Sequence, residues 1–342
     1  MTDAAKTVFV IGAGASCEFG LPSGIGLKQQ ISTLLKHAVT STDETLIFEA
    51  FERLAYPMQQ PFGGFINAAK DISSSLPLAP SIDNYLHTHN GDAVVEQVGK
   101  LAIVSSILTA ERKSHLYISS DRDFDFAKVE GTWLSKLMQL LNENSTIEGL
   151  KARLSSVVFI VFNYDRCIEH FLFHAIRVYY RVEPGVAADI VRGVSIYHPY
   201  GTVGQYPYTV GGITGAATDF GANQHAQQII QLAKGIKTFT EGTDDESSDI
   251  IAIRKHILEA SRLIFLGFAF HPINMELLTG KQEGRREGVS IQSFGTVFQT
   301  SRPNIDRING EVVTQITNHA CTLVDKTCSA LFDEYSRTFR FQ

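Results

Sequence analysis

Four short apolar runs of the sequence each end abruptly in glycine or in polar side chains. The runs cover residues 8–11, 157–162, 193–197 and 263–266. The groups that follow them are residues 12–14, 163–165, 198–201 and 267–268. They include an amide at Asn163, a carboxylate at Asp165 and an imidazole at His198. Together such side chains can bind hydroxyl groups, hold a water molecule and accept a proton near neutral pH.

Apolar runs of this length are typical of strands that are buried in a parallel sheet. Helical patterns separate the runs, and this alternation predicts an α/β fold with a Rossmann-like parallel sheet. In an open parallel sheet, ligands bind beyond the carboxyl ends of the strands. We therefore expect the four groups to meet in one crevice.

A helical pattern fills the long interval between the first two runs. From about residue 40 to residue 150 no convincing strand is found, which predicts a large helical insertion in a single domain over residues 1–342. A fifth strand is predicted at residues 289–298, although Gly295 weakens it. The pattern of the tail predicts a C-terminal helix at about residues 311–335.

The first turn has the pattern of a nucleotide-binding strand–turn–helix unit. Gly12 and Gly14 would let the backbone approach a pyrophosphate, and the next helix would direct free N–H groups at it. The third glycine of the dinucleotide fingerprint would fall at residue 17, which is Cys17. An ordinary tight turn explains the same glycines about equally well.

Composition narrows the classes of function. The formal net charge of −6 argues against a large nucleic-acid-binding surface. The sequence has no run of about 18 apolar residues, and its N-terminus lacks the apolar core of a signal peptide, so we expect a cytoplasmic protein without a membrane span.

Metal chemistry is not expected from this sequence. The 4 cysteines form no C-x-x-C pair and are expected to be reduced thiols. His170 and His174 stand one helical turn apart, a spacing that metal sites use, but no carboxylate or cysteine partner is evident. Packing explains this pair better.

Plain structural roles remain open for the polar candidates. Asn163 could start a turn, Asp165 could cap the helix that follows, and His198 could be a loop histidine. Asp83, just after Ser81, could line a ligand or cap its own helix.

The glycine turn belongs to a longer stretch that resembles the first motif of the sirtuin superfamily, GAGAS at residues 12–16 followed by GLP at residues 20–22. Asn163-Tyr164-Asp165 resembles the N-x-D motif of that superfamily, and His198 falls where its general-base histidine would. Residues 81–86 (SIDNYL) and 266–270 (LGFAF) look closer to the bacterial sirtuin-like branch that hydrolyses NAD+ in anti-phage defence.

The chain also departs from the sirtuin pattern. Ser23 and Gly24 stand where sirtuins have an aromatic residue and an arginine, and two residues separate His198 from Gly201 where sirtuins have His-Gly. The four-cysteine zinc module of the deacylases has no local counterpart. Its lack favours the branch that hydrolyses NAD+.

The resemblance implies an NAD+ glycohydrolase that cleaves the nicotinamide–ribose bond and releases nicotinamide and ADP-ribose. Asn163 would bind the ribose hydroxyls or a water molecule, His198 would be the general base, and Asp165 would orient Asn163 or bind NAD+. The residues that the resemblance assigns to NAD+ binding are Gly12, Ala13, Gly14, Ser16, Pro22, Asp83, Gly201, Gly267 and Phe268.

The resemblance also implies control by partners, since an unrestrained NAD+ hydrolase would drain its own cell. A homo-oligomer is expected, together with a partner ATPase or another defence protein. Two alternatives stay open: an NAD-dependent protein deacylase, and a nucleotide-binding regulatory or assembly subunit that is active only with a partner.

Overall fold

A six-stranded parallel sheet forms the centre of the molecule. The computed structural model describes residues 5–41, 44–119, 122–209, 217–239, 247–280, 291–317 and 319–341. The strands are β1 (Thr7–Ile11), β2 (Val157–Val161), β3 (Ser195–Tyr197), β4 (Arg262–Leu266), β5 (Gln292–Thr296) and β6 (Thr322–Val324). Their order is β3-β2-β1-β4-β5-β6, with every neighbouring pair parallel. The Rossmann-like α/β fold that the sequence predicts is confirmed.

The strand order reverses beside β1. The chain moves from β1 to β2 and β3 on one side, then crosses back to β4 on the other side. The register aligns Ile11 with Val161 of β2 and with Leu266 of β4. The residues that follow these three strands therefore leave the sheet side by side, at the position where doubly wound proteins bind ligands.

Helices cover both faces of the sheet. They are α1 (Ala13–Ser16), α2 (Gly24–Thr40), α3 (Leu46–Ala55), α4 (Phe62–Ser75), α5 (Ile82–Thr88), α6 (Ala93–Lys113), α7 (Trp133–Asn142), α8 (Ile147–Leu154), α9 (Cys167–Tyr180), α10 (Pro184–Arg192), α11 (Ala226–Ala233), α12 (Ser248–Glu259), α13 (Pro272–Thr279), α14 (Arg302–Val312) and α15 (Cys328–Glu334). Between β1 and β2 the described residues form helices and no strand, as the helical pattern of the insertion predicts.

The two faces of β1 belong to two separate cores, because successive side chains of a strand point to opposite faces. Val8 and Val10 belong to the core that α2, α4 and α6 share, whereas Phe9 and Ile11 belong to the core that α7 and α9 share. Within the insertion, α6 packs against both α2 and α4. Helix α6 is long and apolar enough to cross a membrane by length and composition, but 78% of its apolar window is buried inside the fold.

The tail differs from the single helix predicted at residues 311–335. Helix α14 ends at Val312, β6 pairs with β5 in parallel, and α15 follows. The reason is the open edge of β5, whose backbone groups need a partner, together with the β-branched residues Thr322 and Val324. The predicted fifth strand forms at Gln292–Thr296, and residues 289–290 lie outside the described residues.

Candidate functional site

The side chain of Asn163 connects the ends of β1 and β2. Its Nδ2 atom donates to the main-chain oxygen of Gly12 at 3.2 Å and to Oγ of Ser16 at 2.9 Å. Both amide hydrogens are thereby used, which leaves Oδ1 as the atom that can accept a hydrogen bond from a ligand. Asn163 is 7% exposed. The predicted meeting of the glycine turn with Asn163 is therefore present in the structure.

Asp165 joins the same network. Ser16 donates from Oγ to Oδ2 of Asp165 at 2.9 Å, and Oδ1 of Asp165 accepts from the backbone N–H of Cys167 at 3.2 Å. The second bond satisfies the first backbone N–H of α9, from the residue before the N-cap residue Arg166. Asp165 therefore both supports the start of α9 and belongs to the polar network of the site. Asp165 does not contact Asn163 directly through these bonds, because Ser16 stands between them.

His198 lies behind Asn163, between two acceptors. Its Nδ1 atom is 3.2 Å from the main-chain oxygen of Asn163, and its Nε2 atom is 2.9 Å from Oε1 of Glu169. Burial is the largest single influence on the pKa of His198 and lowers it, but Glu169, the main-chain oxygen of Asn163 and Asp165 together outweigh burial and raise that pKa above the ordinary 6.5. Burial likewise raises the pKa of Glu169, but His198, a backbone hydrogen bond and Arg166 together hold that pKa below 4.5.

Three glycines let the ends of β1 and β4 touch. Gly14 donates its N–H to the main-chain oxygen of Gly267 at 3.1 Å, and Gly267 has a left-handed φ of +55°. A Cβ atom on Gly267 would lie 2.1 Å from the nitrogen of Ala15, and one on Gly12 would lie 2.4 Å from the oxygen of Gly267. This close approach of two backbones accounts for the glycines without a ligand. The pyrophosphate cradle stays a prediction.

The glycine contact makes a stability prediction with a matched control. Gly267→Ala is expected to lower the free energy of unfolding by more than about 2 kcal/mol, since a left-handed conformation costs a non-glycine residue about 1–3 kcal/mol before any clash. Gly310→Ala in α14 meets no atom within 4 Å and should raise stability by about 0.5–1 kcal/mol. Urea unfolding curves of both variants measure the difference, and equal midpoints would contradict this account.

Glu18, which follows the glycine turn, connects that turn to two helices. Its two carboxylate oxygens accept from the backbone N–H groups of Trp133 at 2.9 Å and Ser329 at 2.7 Å. The indole of Trp133 in turn donates to the main-chain oxygen of Ala15 at 3.0 Å. Because the two backbone donors begin α7 and α15, one carboxylate ties both helices to the turn.

Asp83 reaches the site from the helical insertion. Ser81 caps α5 through the N–H of Asn84 at 3.0 Å, while the Asp83 carboxylate accepts from the hydroxyl of Tyr164. The sequence left two roles open for Asp83, lining a ligand or capping its own helix. In the structure Ser81 makes the capping bond, so Asp83 is not the residue that caps α5. Burial raises the pKa of Asp83, and the Tyr164 hydrogen bond only partly opposes this.

The remaining predicted residues have different positions. Phe268 is 4% exposed, and its ring centroid lies 5.1 Å from that of Phe162, in a buried aromatic cluster. Gly201 forms a tight turn with a φ of +73°, where a Cβ atom would lie 1.8 Å from the oxygen of Gly235. Ala13 is half-buried in the glycine turn, and half-buried Pro22 lies just before α2. The roles in NAD+ binding that the resemblance implies for these residues stay predictions.

Several residues that contact the candidate site residues or lie beside them were not identified from the sequence. Glu169 pairs with His198, Thr296 accepts the N–H of Gly267 at its Oγ1 atom, and Arg166 forms a buried ion pair with Glu111. Glu169 stands in the first turn of the helix that follows Asp165, so its position in the sequence could have suggested a place near the site. The Arg166–Glu111 pair has no local signal, because 54 residues separate its members in sequence.

The histidine pair of α9 is a packing feature. His170 contacts the hydroxyl of Tyr206 at 3.0 Å and the main-chain oxygen of Leu116 at 2.9 Å, while His174 contacts the same hydroxyl at 3.3 Å. Burial lowers the pKa of His174 to about 4. Within the described ranges, no group of three or more His, Cys, Asp or Glu residues could hold a metal ion.

Fold and site together define a Rossmann-like α/β protein with a buried polar network where its strand order reverses. No protein-family model matches the chain, and no curated protein matches its sequence.

Proposed function

We propose that this protein is an NAD+ glycohydrolase of the sirtuin-like kind. The observation that carries the proposal is Asn163, whose amide hydrogens are both held by the glycine turn while Oδ1 keeps its capacity to accept. This group lies beside the reversal of strand order, where doubly wound proteins bind dinucleotides. An acceptor fixed there suits the hydroxyl groups of a ribose.

The proposed reaction breaks the bond between the anomeric carbon and the pyridinium nitrogen. The bonding electrons move to that nitrogen, so neutral nicotinamide leaves and the ribose becomes oxocarbenium-like. Water then adds to the anomeric carbon and releases a proton, giving ADP-ribose. In this scheme Oδ1 of Asn163 accepts from a ribose hydroxyl, and the negative charge of Asp165 favours the positive charge that develops on the sugar.

One observation favours a gated form of this activity. Ser16, Asn163 and Asp165 are 4%, 7% and 5% exposed, so a dinucleotide needs an opening step to reach them. We therefore propose that self-assembly, or a partner such as an ATPase or another defence protein, opens the site. NAD+ depletion in the bacterial cytoplasm during phage infection is the role that fits such control. A nucleotide-binding subunit that is silent without its partner is the second candidate.

An assay of NAD+ loss tests the proposal. Purified protein is incubated with NAD+, and nicotinamide and ADP-ribose are separated by chromatography, with and without an acyl-lysine peptide. If self-assembly opens the site, the purified protein consumes NAD+ without the peptide, and this is the expected result. Loss only with the peptide would select the deacylase. NAD+ binding in calorimetry without loss would select the partner-dependent subunit. If the protein neither binds nor consumes NAD+, the assignment to NAD+ is overturned.

A further inference from the structure

His198 has a hydrogen-bond acceptor on each side of its ring. The acceptors are the main-chain oxygen of Asn163 at Nδ1 and the carboxylate of Glu169 at Nε2. A carbonyl oxygen and an ionised carboxylate can only accept, so each ring nitrogen must carry a hydrogen to form its bond. A histidine with hydrogens on both nitrogens is a cation, and it has no lone pair with which to take up a proton.

We propose that His198 and Glu169 form a largely buried ion pair that positions the backbone of Asn163, and that His198 is a positioning residue and not the general base. The catalytic meaning of this pair rests on the proposed NAD+ hydrolysis. The resemblance to sirtuins implied the opposite role for His198.

The pair holds Asn163 at a second point. The glycine turn and Ser16 hold its side-chain nitrogen, and the imidazolium of His198 holds its main-chain oxygen. With both ends of the residue fixed, Oδ1 keeps one position relative to a bound ribose. Hydrolysis of a good leaving group through an oxocarbenium-like state depends on such positioning more than on a strong base.

The surrounding charges support the cationic state. The side chains of His198 and Glu169 are 11% and 13% exposed, so solvent screens their attraction only weakly. Asp165 adds a second negative charge that favours protonated His198, and Arg166 adds a positive charge that favours ionised Glu169. Among the described residues, Oε2 of Glu169 has no hydrogen-bond partner, so loss of His198 would leave this carboxylate without a side-chain donor.

Replacing His198 by alanine does not separate the two roles, because either role predicts lost activity. Glu169→Gln separates them, because the two roles predict different changes in the pH dependence of NAD+ hydrolysis. Without the carboxylate charge, burial lowers the pKa of His198. A positioning cation then loses its charge at a lower pH, so the alkaline fall in NAD+ hydrolysis moves to lower pH. A general base must be neutral, so its acidic fall would move to lower pH and activity in acid would rise.

The deciding experiment reads the charge of His198 without NAD+. Protein labelled with carbon-13 at histidine is titrated by NMR, and the His198 signal among the 11 histidines is assigned by its loss in His198→Gln. We expect a ring that is protonated at pH 7 in the wild type and neutral at a lower pH in Glu169→Gln. A neutral wild-type ring at pH 7 would overturn the ion pair.

One further readout and a control variant complete the design. The amide nitrogen of Tyr164 shares a peptide with the Asn163 carbonyl, so its chemical shift should move in Glu169→Gln, and an unmoved signal would overturn the positioning role. Glu148→Gln is the matched control, since Glu148 is exposed in the first turn of α8, whereas half-buried Glu169 stands in the first turn of α9. If neither the wild type nor any variant hydrolyses NAD+, the proposed function fails. The NMR results still decide whether His198 and Glu169 form an ion pair.

Discussion

Asn163→Ala is expected to abolish measurable NAD+ hydrolysis while the protein stays folded. The substitution removes Oδ1, the acceptor proposed for the ribose, and the two donors that hold Gly12 and Ser16. Loss of one preorganised polar group in an active site lowers kcat by about 10²–10³. The lost hydrogen bonds should cost about 1–3 kcal/mol of stability, which a protein of this size tolerates. Chromatography of nicotinamide gives the rate, and urea unfolding gives the stability.

A second substitution tests the geometry of the amide. Asn163→Asp keeps the size of the side chain but replaces its donors with a carboxylate that only accepts. That carboxylate would face the main-chain oxygen of Gly12, and a further negative charge would stand close to Asp165. We therefore expect Asn163→Asp to be as inactive as Asn163→Ala. Asn304→Ala, on the exposed side of α14, is the control and should keep wild-type activity. Near wild-type rates in both Asn163 variants would remove this residue from the reaction.

The sheet could be predicted well from the sequence because its central strands are buried on both faces. Such strands appear as unbroken apolar runs, and the predicted runs at 8–11 and 263–266 lie within β1 and β4. Strand β6 has only three residues at the edge of the sheet, and its segment also satisfies a helical pattern. It exists because β5 offers it a backbone to pair with, which is information that local sequence does not contain.

The candidate site could be predicted only where a strand ends. The rule for parallel sheets brought Asn163, Asp165 and the glycine turn together, and their contacts follow from the shared register of β1 and β2. The state of His198 depends on two acceptors that its own segment does not reveal. Likewise, the close contact between Gly14 and Gly267 is a reason for the glycines that the sequence of the first turn does not reveal.

Arg166 and Glu111 form a fully buried ion pair near the site. Arg166 and Glu111 have side chains that are 1% and 0% exposed, and two bonds join them, Nη2 to Oε2 at 2.6 Å and Nε to Oε1 at 3.2 Å. Arg166 also donates to the main-chain oxygens of Thr218 and Asp219, while Glu111 accepts the N–H of Gly221 at 2.9 Å. The pair thus ties α6, the start of α9 and the loop at residues 218–221 together.

Glu111→Gln is expected to lower the free energy of unfolding by about 3–5 kcal/mol, because breaking a buried ion pair leaves one charge uncompensated. Glutamine keeps the size of the side chain, so the loss reports charge and not a cavity. Glu49→Gln breaks an exposed pair with Arg53, whose members are 43% and 51% exposed, and should cost less than about 1 kcal/mol. Urea unfolding of both variants measures the contrast.

The same variant should loosen the site, because Arg166 directly follows Asp165 in the chain. Hydrogen exchange is expected to speed up at the backbone amides of Gly221 and Cys167, which are held by Glu111 and Asp165. Amides of β1 should change only as far as global stability falls. A Glu111→Gln protein with wild-type stability and wild-type exchange at Gly221 would show that Arg166 is held by its carbonyl acceptors alone, and that the ion pair does not support the site.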